Sequence, residues 1–168
     1  MKILSDIAII VVLALTGFYL YTNYWDDIKY SLYGSEPLYT IYVGSKAVDV
    51  TVADEVDERL LGLSNTESLG EQRGKLFIFD ENAKHGIWMK DMNYPIDIIW
   101  IDSNLKVVHI AENVSPRTYP EIFAPSVDAR FVLEVNAYFV SSTRVEVGNT
   151  LLLPPGLLPD DIEKSLQK

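Results

Sequence analysis

Pro-Ile-Asp-Ile-Ile-Trp-Ile at residues 95–101 and Arg-Phe-Val-Leu-Glu-Val-Asn at residues 130–136 are the two stretches that decide the fold. Both are dominated by β-branched and aromatic side chains, which is typical of strands buried on both faces. Because successive side chains of a strand point to opposite faces, Asp97 lies among isoleucines, and Glu134 shares its face with Asn136. A carboxyl group in such a position needs a partner inside the protein.

Further short strand candidates occur on both sides of these stretches. Residues 39–43 and 47–52 flank a Gly44-Ser45 turn and predict a hairpin, and a short helix is predicted just after it, around residues 54–63. Short strands at this density predict a mostly β chain, with a single β-sandwich or jelly-roll-like domain and one or two short helices. The remaining strand candidates are residues 75–79, 87–90, 107–111 and 150–153.

The N-terminal segment is strongly apolar. From Ile7 to Tyr24 it carries no charge, and as a helix it would span roughly 27 Å, close to the thickness of a bilayer core. Bulky aromatic residues follow the apolar run where a cleavable signal peptide needs small ones, so the sequence favours one uncleaved transmembrane helix over a cleaved signal or a buried helix. Lys2 before the segment and Asp26 after it favour an extracytoplasmic domain.

These features divide the chain into four parts. We predict a membrane anchor at residues 1–25, a spacer at residues 26–38, a β domain at residues 39–153 and a C-terminal tail at residues 154–168. Gly34 and Pro37 mark the spacer, and a second proline-rich stretch marks the start of the tail, which the sequence suggests is dispensable.

Composition excludes several classes of function. The net charge of -10 repels phosphate backbones, so nucleic acid is not expected as a partner. The chain has no cysteine, which excludes disulfides, thiolate metal sites and a cysteine nucleophile. His85 and His109 are too far apart for a helical zinc pair, and no motif for a serine nucleophile or a phosphate loop is present. No metal, cofactor or catalytic residue is therefore predicted.

Polar residues in or beside apolar strands are the remaining candidates for function, and three interpretations stay open. They form a loop-borne ligand surface, or they fix the strand register through buried hydrogen bonds, or Asp97 and Glu134 act as the paired carboxylates of a glycoside hydrolase. Trp88 and Trp100 are expected in the core rather than as sugar platforms. The ligand-binding candidates are Arg59, His85, Trp88, Lys90, Asp91, Asp97, Glu134 and Asn136.

Several short motifs in a fixed order resemble the domain-of-unknown-function 192 family. They are Arg59-x-x-Gly62-Leu63, Gly74-Lys75-Leu76-Phe77-Ile78-Phe79, Trp88-Met89-Lys90, Pro95-Ile96-Asp97 and Val132-Leu133-Glu134-Val135-Asn136-Ala137. The resemblance implies a compact β-sandwich-like domain, often behind a signal sequence or anchor, with no established activity. The sequence departs from the family pattern at Asp91 (usually asparagine), Asn104-Leu105 (usually Asp-Gly), Tyr138 (usually glycine) and Asn149 (usually aspartate).

Taken together, these patterns predict a membrane-anchored, extracytoplasmic binding or accessory module. Its partner would be a component of the cell envelope or a small ligand. The alternative is a hydrolase of carbohydrate or envelope material that uses Asp97 and Glu134 as acid and base, and a purely structural domain is the third possibility.

Overall fold

The computed structural model describes residues 36–166, together with Ala14 and residues 16–19. Most of the predicted anchor, residues 1–25, and most of the spacer lie outside these described residues. Among the residues that are described, no helix is both long enough and apolar enough to cross a bilayer. The compact unit that carries the candidate site begins at Pro37.

The described domain is mostly β, as predicted. Seven strands form one sheet in the order β6-β5-β8-β3-β2-β1-β9, and β4 and β7 form a separate two-stranded ribbon. Short helices lie between the strands: α1 (Val56–Leu61), a 3-10 turn (Pro116–Thr118), α2 (Phe139–Thr143) and α3 (Asp160–Leu166). The strands are β1 (Tyr39–Val43), β2 (Lys46–Ala53), β3 (Arg73–Ala83), β4 (Ile87–Trp88), β5 (Ile96–Ile101), β6 (Val107–Val114), β7 (Ile122–Phe123), β8 (Ala129–Asn136) and β9 (Leu151–Leu152).

The large sheet curls into a half-barrel, which corrects the prediction of a two-sheet sandwich. Its two edge strands meet at one end, where the amide of Leu151 donates to the carbonyl of Leu105 at 2.8 Å and the amide of Val107 donates to Asn149 at 2.9 Å. The central strand β8 pairs with both β3 and β5, so the strands continue one sheet instead of dividing into two. Strands that are apolar on both faces agree with one curled sheet covered on both sides, because the strands of a sandwich alternate apolar inner with polar outer residues.

Both faces of the half-barrel are buried. Ile99, Leu133 and Leu76 belong to the core of the concave face, whereas Ile98 and Val132 belong to a second core on the outer face. Alternate residues of β5 and β8 thus belong to opposite faces, as the two-residue period of the sequence predicts. The outer core is covered by the segment after α1 and by the β4–β7 ribbon, and this covering layer creates the candidate site.

The C-terminal tail packs onto the concave core. Ile162 in α3 is only 3% exposed and belongs to that core, with Leu157 and Leu158 packed against it. Asp161 also forms an ion pair of 3.1 Å with Arg130 of β8. The tail is therefore part of the fold, contrary to the expectation that it is dispensable.

Truncation of Ile162 to alanine tests the role of the tail. We expect the variant to lose about 3 kcal/mol of unfolding free energy, because the substitution leaves a cavity where the side chain fills the concave core. Urea unfolding of the full chain measures this loss. The neighbouring exposed Glu163→Ala variant is the control and should change stability by less than about 0.5 kcal/mol. Equal stability of the two variants would show that α3 does not hold the fold together.

The departures from the family pattern concentrate at turns with left-handed backbone. Asp91 has a φ of 54°, Leu105 of 60° and Tyr138 of 69°, a region that glycine and asparagine adopt most readily. Asn149 still accepts a hydrogen bond from the amide of Glu146, at 3.3 Å. Backbone shape thus explains the usual asparagine or glycine at residues 91, 105 and 138, whereas Asn149 keeps the oxygen acceptor of the usual aspartate.

Candidate ligand-binding cleft

An open cleft of about 370 Å³ lies on the outer face of the half-barrel, between α1, β3 and the β4–β7 ribbon. Its large apolar side chains are unusually exposed: Leu60 by 67%, Ile122 by 63% and Trp88 by 42%. Exposed apolar side chains that surround a cavity are a common mark of a binding site. The lining residues are Val56, Arg59, Leu60, Phe77, Phe79, Gly86, Ile87, Trp88 and Ile122.

Two glycines keep the cleft open. Gly62, which ends α1 with a φ of 52°, lies against Phe77, and a Cβ at this position would be 3.1 Å from the aromatic ring. A Cβ at Gly86 would come within 2.5 Å of the Ile122 side chain, so that side chain would have to move. Any larger residue at either position would therefore reshape the cleft, which gives Gly62 of the Arg59-x-x-Gly62 motif a physical reason.

Glu134 lies at the floor of the cleft. A small extension of about 50 Å³ reaches its side chain and shares Arg59, Leu60 and Trp88 with the larger cavity. Glu134 is only 4% exposed, and its Oε2 atom has no hydrogen-bond partner among the described residues. An unsatisfied buried oxygen costs folding free energy, on the order of 1 to 3 kcal/mol, and its presence in a cavity needs an explanation.

The electrostatic environment of Glu134 favours its protonated form. Burial raises the pKa of the Glu134 carboxyl to about 8, although the positive charge of Lys75 acts in the opposite direction. Lys75 lies directly across from Glu134 in the β3–β8 pair and is itself buried. At neutral pH Glu134 is thus mostly a carboxylic acid, which can both donate and accept a hydrogen bond.

Arg59 forms a wall of the cleft and is held by the protein. Its guanidinium donates hydrogen bonds to the carbonyls of Asp54 and Ile78 and pairs with Asp80 at 3.3 Å. It also lies 5.5 Å from the centre of the Phe79 ring. Since these contacts tie α1 to β3, we assign Arg59 a positioning role in the cleft.

The other predicted loop residues stand at the rim of the cleft. Trp88 packs edge-on against Tyr119, with ring centres 6.1 Å apart, and Lys90 Nζ lies 5.9 Å from the centre of the Trp88 ring. His85 stacks on Phe79 at 3.5 Å, and its Nε2 is 2.9 Å from the carbonyl of Glu81. The expectation that Trp88 is a core residue is therefore wrong, whereas Trp100 is fully buried as expected.

Asp97 lies on the opposite face of the sheet from Glu134 and outside the cleft. It pairs with Val135 across β5 and β8, whereas Glu134 pairs with Ile98, so the two carboxyl groups point to opposite faces of the sheet. Asp97 is fully buried and accepts backbone amide hydrogen bonds from Asn113, Tyr138 and Val140. Its role is structural, and the two carboxylates cannot act together as an acid and base pair.

Asn136 and Asp91 support the loop that follows α1. Asn136 Nδ2 donates to the carbonyls of Leu69 at 3.1 Å and Gly70 at 2.9 Å. The Asp91 carbonyl accepts from the amide of Asn65 at 2.8 Å. Of the eight predicted residues, the structure brings Arg59, Trp88 and Glu134 together in the cleft, places His85 and Lys90 beside it, and leaves Asp91, Asp97 and Asn136 in supporting positions.

The sequence analysis did not identify the aromatic floor of the cleft, formed by Phe77 and Phe79, or Lys75, the positively charged neighbour of Glu134. Phe77 and Phe79 lie on the same face of β3 as Lys75, directly beneath the cleft. The signal was present, because Lys75 is a charge within an otherwise apolar strand, as Glu134 is. Ile122 gave no signal, since β7 contains only two residues. Within the described part of the chain, no group of three potential ligands is arranged to hold a metal ion.

Known structures share this architecture. A Sinorhizobium meliloti 1021 protein, whose description proposes a transcription regulator, has 26% sequence identity and a TM-score of 0.66, over 70% of this chain and 94% of that one. A protein of unknown function from Novosphingobium aromaticivorans DSM 12444 has 21% identity and a TM-score of 0.65, over 68% of this chain and 84% of that one. The second likeness shows the fold alone. No curated protein is significantly similar to this chain.

The sequence motifs, the curled sheet and Glu134 with the Arg59-x-x-Gly62 turn all lie within the range of one matching family model. The model is that of DUF192, described as "Uncharacterized ACR", and it covers residues 39–153. This range contains the whole cleft and its supporting strands. The chain therefore belongs to the DUF192 family.

Proposed function

We propose that the domain is a binding module that holds a small, largely apolar ligand in the cleft between α1, β3 and the β4–β7 ribbon. The observation that carries this proposal is the open cavity of about 370 Å³, whose walls are exposed aliphatic and aromatic side chains. This volume is within the range that small-molecule sites occupy.

Burial of the exposed side chains provides the driving force for binding. Leu60, Ile122 and Trp88 each leave a large part of their apolar surface in water. A ligand that covers them removes this surface from water, at a gain of about 25 cal/mol for each Å². Gly62 and Gly86 leave the space for such a ligand, and Arg59 is already held by protein partners, so the walls are formed before binding.

The location that best fits this module is the cell envelope. The uncharged run from Ile7 to Tyr24 supports anchoring by one transmembrane helix, with the domain outside the cytoplasm. We therefore propose an envelope component or a small extracytoplasmic molecule as its partner. Recovery of the full chain in the membrane fraction, with the domain accessible to external protease, supports this placement, and recovery in the soluble fraction contradicts it.

The description of the Sinorhizobium protein suggests transcriptional regulation as another role for related chains. For this chain, the net charge of -10 argues against direct contact with DNA. The cleft, with its apolar lining, also has the chemistry of a site for a small molecule rather than for a phosphate backbone. We therefore retain ligand binding as the proposed function.

Binding of the neutral fluorescent probe 1-aminoanthracene to the full chain tests the proposal. The Leu60→Glu variant places a carboxylate in the apolar wall, and because Leu60 is 67% exposed, the fold should tolerate the change. We expect the wild type to bind the probe and this variant to bind it at least about tenfold more weakly, since binding would desolvate the new charge.

Val147→Glu is the matched control, because Val147 is 61% exposed and lies outside the cleft. It should bind the probe as the wild type does. Equal loss of binding in both variants, or no binding by the wild type, would contradict the assignment of the cleft as a binding site.

A further inference from the structure

The unsatisfied oxygen of Glu134 identifies the polar group that a ligand must carry. Oε2 is buried and without a hydrogen-bond partner among the described residues, and the extension of the cleft that reaches it has a volume of about 50 Å³. This space is sufficient for one small polar group and too small for a sugar ring. The rest of the cleft offers mainly apolar contacts.

We propose, building on the proposed function, that the ligand is a neutral molecule with a hydroxyl group on a compact apolar body, and that the hydroxyl bonds to Glu134 Oε2. The apolar body then lies between Leu60, Trp88 and Ile122. Phenols and small apolar alcohols have this chemistry.

A hydroxyl fits better than other polar groups because it both donates and accepts. It donates to Oε2 when Glu134 is ionised and accepts from it when Glu134 is protonated. An N–H group can donate to a free carboxyl oxygen but cannot accept the hydrogen bond of the acid O–H, and a carbonyl can accept that bond but cannot donate one. The hydroxyl therefore removes the cost of the unsatisfied oxygen across the pH range in which this carboxyl titrates.

Charge around the floor excludes a cationic ligand. Lys75 of β3 lies across from Glu134, Arg59 of α1 borders the same space, and Lys90 stands over Trp88 at the rim. Tyr94 lies in the segment before β5, and burial chiefly, with a smaller contribution from the charge of Glu134, raises the pKa of its hydroxyl. An ammonium group would meet three positive charges here. The same charges would attract a carboxylate, but Arg59 is already paired with Asp80, and the ligand carboxylate would have to lose its water beside the Glu134 carboxyl. The neutral hydroxyl avoids both costs.

The pair p-cresol and p-xylene tests this inference, because the two probes have nearly the same shape and differ by a hydroxyl in place of a methyl group. Their affinities for the full chain are measured by ligand-observed NMR and corrected for transfer of each probe from water to alkane. We expect wild type to prefer p-cresol by at least about tenfold after this correction. Glu134→Met should abolish the preference, whereas Glu134→Gln, which keeps an oxygen acceptor and a donor, should retain most of it.

The exposed Glu112→Met variant is the matched control for the same chemical change and should keep the preference. The ¹³C resonance of the Glu134 carboxyl provides a readout that needs no variant: p-cresol should shift it, and p-xylene should shift it much less. Equal corrected affinities in the wild type, or an unchanged preference in Glu134→Met, would overturn the inference. If 1-aminoanthracene still binds and Leu60→Glu still weakens it, the proposed function survives that failure. Absence of binding by all three probes would overturn both.

Discussion

Replacement of Asp97 by alanine is expected to lower the unfolding free energy by about 5 kcal/mol. The carboxylate is fully buried and accepts hydrogen bonds from the amides of Asn113 at 2.7 Å, Val140 at 2.9 Å and Tyr138 at 3.3 Å. Each buried amide that loses its acceptor costs about 1 to 3 kcal/mol. Because these amides belong to the end of β6 and the start of α2, the substitution would loosen both elements at once.

Urea unfolding of the full chain measures this effect, and Asp102→Ala is the matched control. Asp102 also accepts two backbone amide hydrogen bonds, from Asn104 at 2.9 Å and Lys106 at 2.8 Å. Its turn is partly open to water, which can replace the lost acceptor, so we expect a loss of only about 1 kcal/mol. A loss as small as that for Asp97→Ala would contradict the structural role assigned to this residue.

The stability of the chain is expected to fall as pH rises from about 5 to 8 because of Glu134. Burial raises the pKa of this carboxyl from 4.5 to about 8 in the folded chain. In this window the folded chain holds a proton that the unfolded chain has released, so a rise in pH favours unfolding by about 1.4 kcal/mol per unit. The contribution is complete below pH 4.5 and disappears as pH passes about 8. It amounts to about 4 kcal/mol between pH 5 and 8.

Comparison with Glu134→Gln isolates this contribution, since glutamine has the same shape and does not titrate. Other titratable groups near the floor, namely Lys75, Arg59 and Tyr94, are present in both proteins. The difference in unfolding free energy between wild type and variant should therefore change by about 4 kcal/mol from pH 5 to 8. A difference that does not vary with pH would mean that Glu134 titrates normally and is not enclosed as described.

Local patterns predicted much of the fold and part of the site. The apolar runs of β5 and β8 placed Asp97 and Glu134 inside the protein, and both are buried. The two-residue period also assigned their neighbours to the correct faces. These predictions succeeded because side-chain alternation along a strand depends only on backbone geometry. The alternative that pairs Asp97 with Glu134 as acid and base does not agree with the structure, because strand register decides which residues share a face and the sequence does not state the register.

The cleft itself was beyond prediction from local sequence. Its walls come from α1, β3 and the short strands β4 and β7, which are far apart along the chain. Ile122 lies in a strand of two residues, which is too short to show the alternation of apolar and polar side chains that predicts a strand. The tail was undervalued for a related reason, since the burial of Ile162 depends on the open concave face of the half-barrel. The sandwich was predicted from the number of short strands, and one curled sheet contains the same number of strands as two packed sheets.

Intermolecular nuclear Overhauser effects between p-cresol and the full chain test the central claim most directly. The account predicts contacts from the aromatic protons of p-cresol to the methyl groups of Leu60, Ile87 and Ile122, together with a shift of the Glu134 carboxyl resonance. Contacts to the separate groove beside Phe139 and Thr143, with no change at Glu134, would contradict the assignment of this cleft as the ligand site.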